Sequence, residues 1–101
     1  MNQSEYLRYD ATALADLIRR GDVTPREVTD AAVERANHVN GALNAICHPQ
    51  YSDAMGQSPV SDGPFSGVPR LLKDLAQEQA GQPCTSGSRA MRKNIPSRDS
   101  Q

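Results

Sequence analysis

The chain has 101 residues, with 11 Lys+Arg against 12 Asp+Glu and a formal charge of −1. That length allows one small domain at most, and the balance leaves no cationic surplus to neutralise phosphates, so nucleic acid is not an expected partner. Apolar residues make up 37%, but 12 of them are Ala and only 17 are Leu, Ile, Val or Phe; that share falls below the roughly 20% at which a packed core becomes doubtful, although the low net charge does not fit a disordered chain.

Two helices open the chain. The first is expected to begin near Asp10 or Thr12, to carry Leu14, Leu17 and Ile18 on one face, and to end at Gly21 in a left-handed cap. The second starts at Thr24-Pro25-Arg26-Glu27, which reads as N-cap, first-turn proline and capping-box Glu. Val28, Ala31, Ala32, Ala36 and Val39 then form a narrow, Ala-rich stripe, and Asn40-Gly41 is expected to stop the helix. A narrow stripe asks for close contact with another element.

Residues 43–47 alternate in polarity as a short strand does. Pro, Gly and Ser fill 9 of the 18 positions of 49–66, a loop interrupted by a helical turn at 51–55. The stretch 68–75 is apolar but broken by Arg70, Lys73 and Asp74, and reads as a buried strand running into a loop. Residues 81–88 are again loop-like, and Ser88 is placed to cap a short helix over 89–93 that Ile95-Pro96 ends.

Cys47 and Cys84 lie 37 apart, without a CxxC pair or a His spacing that would hold zinc, so no metal and no cofactor is expected. A disulfide between them stays open, but the opening residues have no basic or apolar leader segment, which fits a reducing cytoplasm. No apolar run reaches the roughly 20 residues of a membrane span, so no membrane partner is expected.

Lys73 is the residue that invites chemistry. If 68–75 were an interior strand, Leu71, Leu72 and Leu75 would bury its stem, and burial disfavours an ammonium and can turn a lysine into a base. The competing reading from spacing alone is a surface lysine at a strand end, paired with Asp74. His38 is expected near a helix C-terminus, where positive charge is favoured, and His48 before Pro49 in a loop.

Four segments in order resemble the N-terminal part of the amidase signature family. Residues 10–28 are similar to its opening helix pair, Asn40-Gly-Ala-Leu-Asn-Ala-Ile to its "N-x-x-l-N-A" stretch, and Gly63-Pro-Phe-Ser-Gly-Val-Pro-Arg-Leu-Leu-Lys-Asp to its "G-P-L-x-G-[VI]-P-x-x-[IVL]-K-D" segment. Gly81-Gln-Pro-Cys-Thr-Ser-Gly-Ser-Arg-Ala-Met resembles the loop that follows. The resemblance spans residues 8–98. It implies an α/β fold to which this chain contributes N-terminal helices plus one or two strands: a helix pair over 10–40, a strand and loop region over 43–66, and a lysine segment over 67–101.

It also implies hydrolysis of a small-molecule amide by a Ser–cis-Ser–Lys triad. The family's lysine falls on Lys73 and acts as base on a serine, which in turn activates the nucleophilic serine. Both serines belong to a later Gly/Ser-rich region, and no such run occurs here; Ser86-Gly87-Ser88 aligns with the earlier loop and reads as loop and cap serines. Leu75 stands where members that amidate charged transfer RNA often have Asn, which leans towards general amide or cyclic-oligomer hydrolases. Arg70 replaces a residue that is often apolar, and Cys84 one that is commonly Thr; Cys84 reads as a small packing residue. Three readings follow: a truncated amidase, inactive by itself; a small helical interaction module without catalysis; and a half-enzyme completed by a complementary downstream chain.

Overall fold

The computed structural model describes residues 1–57 and 62–100, and among these all regular structure is helical. The elements are α1 (Gln3–Tyr6), α2 (Ala11–Arg19), α3 (Pro25–Leu43), α4 (Tyr51–Gly56) and a 3₁₀ turn at Arg89–Met91. Two compact units divide the chain, Met1–Pro69 and Arg70–Gln101. Residues 58–61 of the predicted 49–66 loop lie outside the described residues.

In the first unit each helix is set by its caps. Asp10 accepts from the Ala13 amide at 2.8 Å and starts α2. At the other end Gly21 takes φ +76. Its amide donates to the Ile18 carbonyl at 3.1 Å, and that of Asp22 to Leu17 at 3.0 Å, a Schellman closure that uses the expected glycine. Thr24 Oγ1 accepts from the Glu27 amide at 3.1 Å, and Pro25 occupies the first turn of α3. The full reciprocal capping box forms at α1, between Asn2 and Glu5.

The predicted stop at Asn40-Gly41 is not where α3 ends. The helix runs to Leu43, and Asn44 closes it at φ 50, ψ 40. The reason is the Asn40 side chain. Its oxygen accepts from the amides of Ala45 and Ile46, both at 2.9 Å, and its nitrogen donates to the Ile46 carbonyl at 3.2 Å. One amide side chain thereby supplies partners for the backbone just beyond the helix, and Asn44 tolerates the left-handed region better than most residues do.

The same bonds remove the expected strand at 43–47. Leu43 is helical, and the amides at 45 and 46 are used by Asn40 rather than by a neighbouring strand. The second expected strand, 68–75, is also irregular. A strand is stabilised by its partner, and no strand occurs among the described residues. The α/β expectation is therefore corrected to helical for the described residues.

The first unit's core is thin: Leu14, Ala15, Val28 and Ala31 are buried, with Val28 at 0% exposure. Complete burial of a valine contributes about 1.5–3 kcal/mol. Val28 and Ala31 are the buried end of the predicted stripe; Ala32, Ala36 and Val39 are half-buried. Polar ties add definition. Arg26 Nη1 donates to the Met55 carbonyl at 2.9 Å and holds α4 to α3, and Arg19 Nη1 reaches the Pro64 carbonyl at 3.1 Å. The ion pairs Arg19–Asp16, Arg20–Asp22 and Arg26–Asp30 are all more than half exposed, so each contributes little.

Gly67 explains the bend at 63–68. Its φ is +85, and a Cβ placed there would lie 2.9 Å from Pro25 Cγ, 3.1 Å from Pro25 Cβ and 3.5 Å from Ile18 Cδ1. The backbone passes directly over the junction of α2 and α3. Turns closed by Ser66 to Gly63 and Val68 to Phe65, both at 3.0 Å, shape the approach.

Candidate functional site

Lys73 lies in the second unit, where two extended arms run antiparallel without forming regular strands. The Cys84 amide donates to the Asn94 carbonyl at 3.1 Å, and Asn94 Nδ2 returns a bond to the Cys84 carbonyl at 2.9 Å. Farther from the 3₁₀ turn, Gly81 donates to Pro96 at 3.0 Å and Ser100 to Glu78 at 2.9 Å. Ser88 caps the 3₁₀ turn through the Ala90 amide, as its position predicts. Ser86 and Gly87 both have positive φ, 53 and 68, between Thr85 and Ser88, whose carbonyl and amide bond at 2.9 Å. This is the pattern of a I′ turn, a local backbone role for that Ser-Gly-Ser run.

The lysine segment enters these arms through a turn at 74–76. The Lys73 amide donates to Gln77 Oε1 at 2.8 Å. Asp74 accepts twice from Thr85: the backbone amide donates to Oδ1 at 2.6 Å and the hydroxyl donates to Oδ2. Thr85 is buried, at 7% exposure. Ala76 is left-handed at φ 62, and its carbonyl accepts from Ser100 Oγ at 3.1 Å. Each side chain here closes a ring on the backbone flanking Lys73.

The Lys73 side chain is exposed, and so are Leu71 at 76% and Leu75 at 55%. The stem burial that an interior strand at 68–75 would bring does not occur, because that segment forms no strand among the described residues. Its ammonium makes no ion pair among the described residues. Arg70 is exposed. Cys84 is buried and Cys47 exposed. His38 is exposed and, with α3 extended to Leu43, sits more than a turn before the helix end. No helix among the described residues is long and apolar enough to cross a membrane.

Thr85 and Gln77 are not legible in the sequence as partners. The only hint is a Thr in a Gly/Ser-rich loop, a residue type that is readily satisfied by solvent; its burial depends on the arms closing.

No family model matches the chain, and no solved structure matches it. Curated relatives do match. The chain is 38% identical over 85 residues to the 6-aminohexanoate-cyclic-dimer hydrolase of Pseudomonas sp. (strain NK87), covering 84% of this chain and 17% of the relative. It is 43% identical over 84 residues to the putative amidase AmiC of Mycobacterium tuberculosis (strain ATCC 25618 / H37Rv), covering 80% and 18%. It is 33% identical over 97 residues to one subunit of the glutamyl-tRNA(Gln) amidotransferase of Renibacterium salmoninarum, covering 87% and 18%.

The chain belongs to the amidase family. It matches a fragment of the relatives, about a sixth of their length. These matches favour the amidase reading over a free-standing helical module.

Proposed function

We propose that this chain is the part of an amide hydrolase that carries its base, Lys73, and that the nucleophile is supplied by the remainder of an amidase-length body. The observation that carries the reading is the Gly63-to-Asp74 segment, with Lys73 directly before a turn and bonds at its own amide and at Asp74. In that body the α/β architecture would be completed and the apolar side chains at 71, 72 and 75 covered. A serine oxygen attacks the amide carbonyl as its proton passes through a second serine to the Lys73 amine. The C–N bond then breaks, the leaving amine takes the proton, and water hydrolyses the acyl-serine ester.

The substrate class is a small-molecule carboxylic amide. Leu75 and the higher identities to the cyclic-dimer hydrolase and AmiC support an amide not borne on transfer RNA. The setting is cytoplasmic, without nucleic acid or membrane as partner. The missing body is joined either in the same polypeptide or as a complementary downstream chain.

The test is a chimera in which this chain replaces its matched stretch in the 6-aminohexanoate-cyclic-dimer hydrolase. The chimera is expected to hydrolyse that cyclic dimer, and Lys73→Ala to lower kcat by about 10²–10⁴-fold. A Lys73→Ala chimera that turns over as fast as its parent refutes the role.

A further inference from the structure

A base delivered from an irregular segment needs its backbone fixed by something other than a ladder of strand hydrogen bonds. In the second unit the tie to the opposing loop is made through one carboxylate. Both Asp74 oxygens are engaged by Thr85, which donates one bond from the backbone and one from the side chain. Two donors on two oxygens define the carboxylate plane as well as its position, and hydrogen bonds to a charged acceptor are about twice as strong as neutral ones. The bonds span eleven residues, so they tie the lysine turn to the opposing loop. Gln77 holds the Lys73 amide, and Ser100 holds the carbonyl of left-handed Ala76. Thr85 is itself held in the arms next to Cys84, whose amide and carbonyl are both bonded to Asn94.

We infer that Asp74 and Thr85 are positioning residues: their two-point bond fixes the turn from which Lys73 projects. This rests on the proposed role of Lys73. Their part is to set where the lysine backbone stands. Misplacement of a catalytic group by about 1 Å costs on the order of 100-fold in rate, so the effect belongs in kcat rather than in KM.

Two measurements test it. In the chimera, Thr85→Val keeps the side-chain shape and the amide but leaves Asp74 Oδ2 without the hydroxyl. It is expected to lower kcat about 10- to 100-fold with KM changed less than about 3-fold, and Thr85→Ser is expected to restore the rate. If Thr85→Val leaves kcat unchanged while Lys73→Ala abolishes turnover, the positioning role is wrong and the role of Lys73 stands. If Lys73→Ala is active, the role of Lys73 itself has failed. The second measurement needs no variant and no activity. In the 101-residue chain the Thr85 amide proton is expected to exchange more slowly than that of exposed Ser86 by at least 10-fold beyond the difference set by their unstructured rates. Equal protection would overturn the inference even if every chimera failed to fold.

Discussion

Gly67→Ala probes whether the bend at 63–68 is seated on the helix pair. Two costs arise. The first is conformational: a residue with a Cβ at φ +85 gives up about 1–2 kcal/mol. The second is steric. The new methyl would stand 2.9 Å from Pro25 Cγ, on a ring that cannot rotate away, with Ile18 Cδ1 at 3.5 Å. Forcing an extra carbon into a filled site costs about 1–3 kcal/mol, so the sum is about 2–5 kcal/mol. Gly21→Ala is the control in the same unit. Its φ is +76, yet nothing lies within 4 Å of the added carbon, so only the conformational cost of about 1–2 kcal/mol applies. Urea denaturation followed by helical circular dichroism gives both values. A loss at position 67 that is no larger than at position 21 would mean that the segment does not rest on Pro25.

Three further outcomes follow from named contacts. Asn40→Ala removes three side-chain hydrogen bonds and should destabilise the first unit by about 1–3 kcal/mol, shortening α3 as seen by amide exchange at 41–46. Thr24→Ala removes the α3 cap and should cost about 1 kcal/mol in the same denaturation assay. Gly41→Ala lies inside α3 with open space around it and should stabilise the helix by about 0.5–1 kcal/mol; a loss there would contradict the continuation of α3 to Leu43.

What the sequence discloses is local. Asp10, Gly21, Thr24, Pro25 and Ser88 act within four residues of themselves, and each cap forms where its residue type places it. The failures involve reach. Asn40 reads as a stop because Asn-Gly commonly ends helices, yet its side chain serves the backbone five and six residues on. The expected strands at 43–47 and 68–75 rest on alternation and apolar content, which describe a face but not a neighbour. Around Lys73 the proposed base is legible through its resemblance-bearing segment. The Asp74–Thr85 bond is not, because it joins positions eleven apart across irregular backbone.

The exposure of Lys73 leads to the last prediction, that the purified chain by itself will not hydrolyse amides. A lysine that works as a neutral base draws that state from its surroundings. Desolvation is the usual source, and it requires apolar walls. Here Leu71 and Leu75 are themselves more than half exposed, and Leu72 is 38% exposed. Side chains that remain wet cannot dry their neighbour. The serines of the proposed relay also have no counterpart in the Ser86-Gly87-Ser88 turn, whose backbone geometry is spent on reversing the chain. Ammonia or amine release from simple carboxylic amides should therefore stay at the blank level for the 101-residue chain, while the chimera turns over. Steady release by the chain alone that disappears on Lys73→Ala would show that the wet turn is sufficient, and the division of labour between base and body would have to be abandoned.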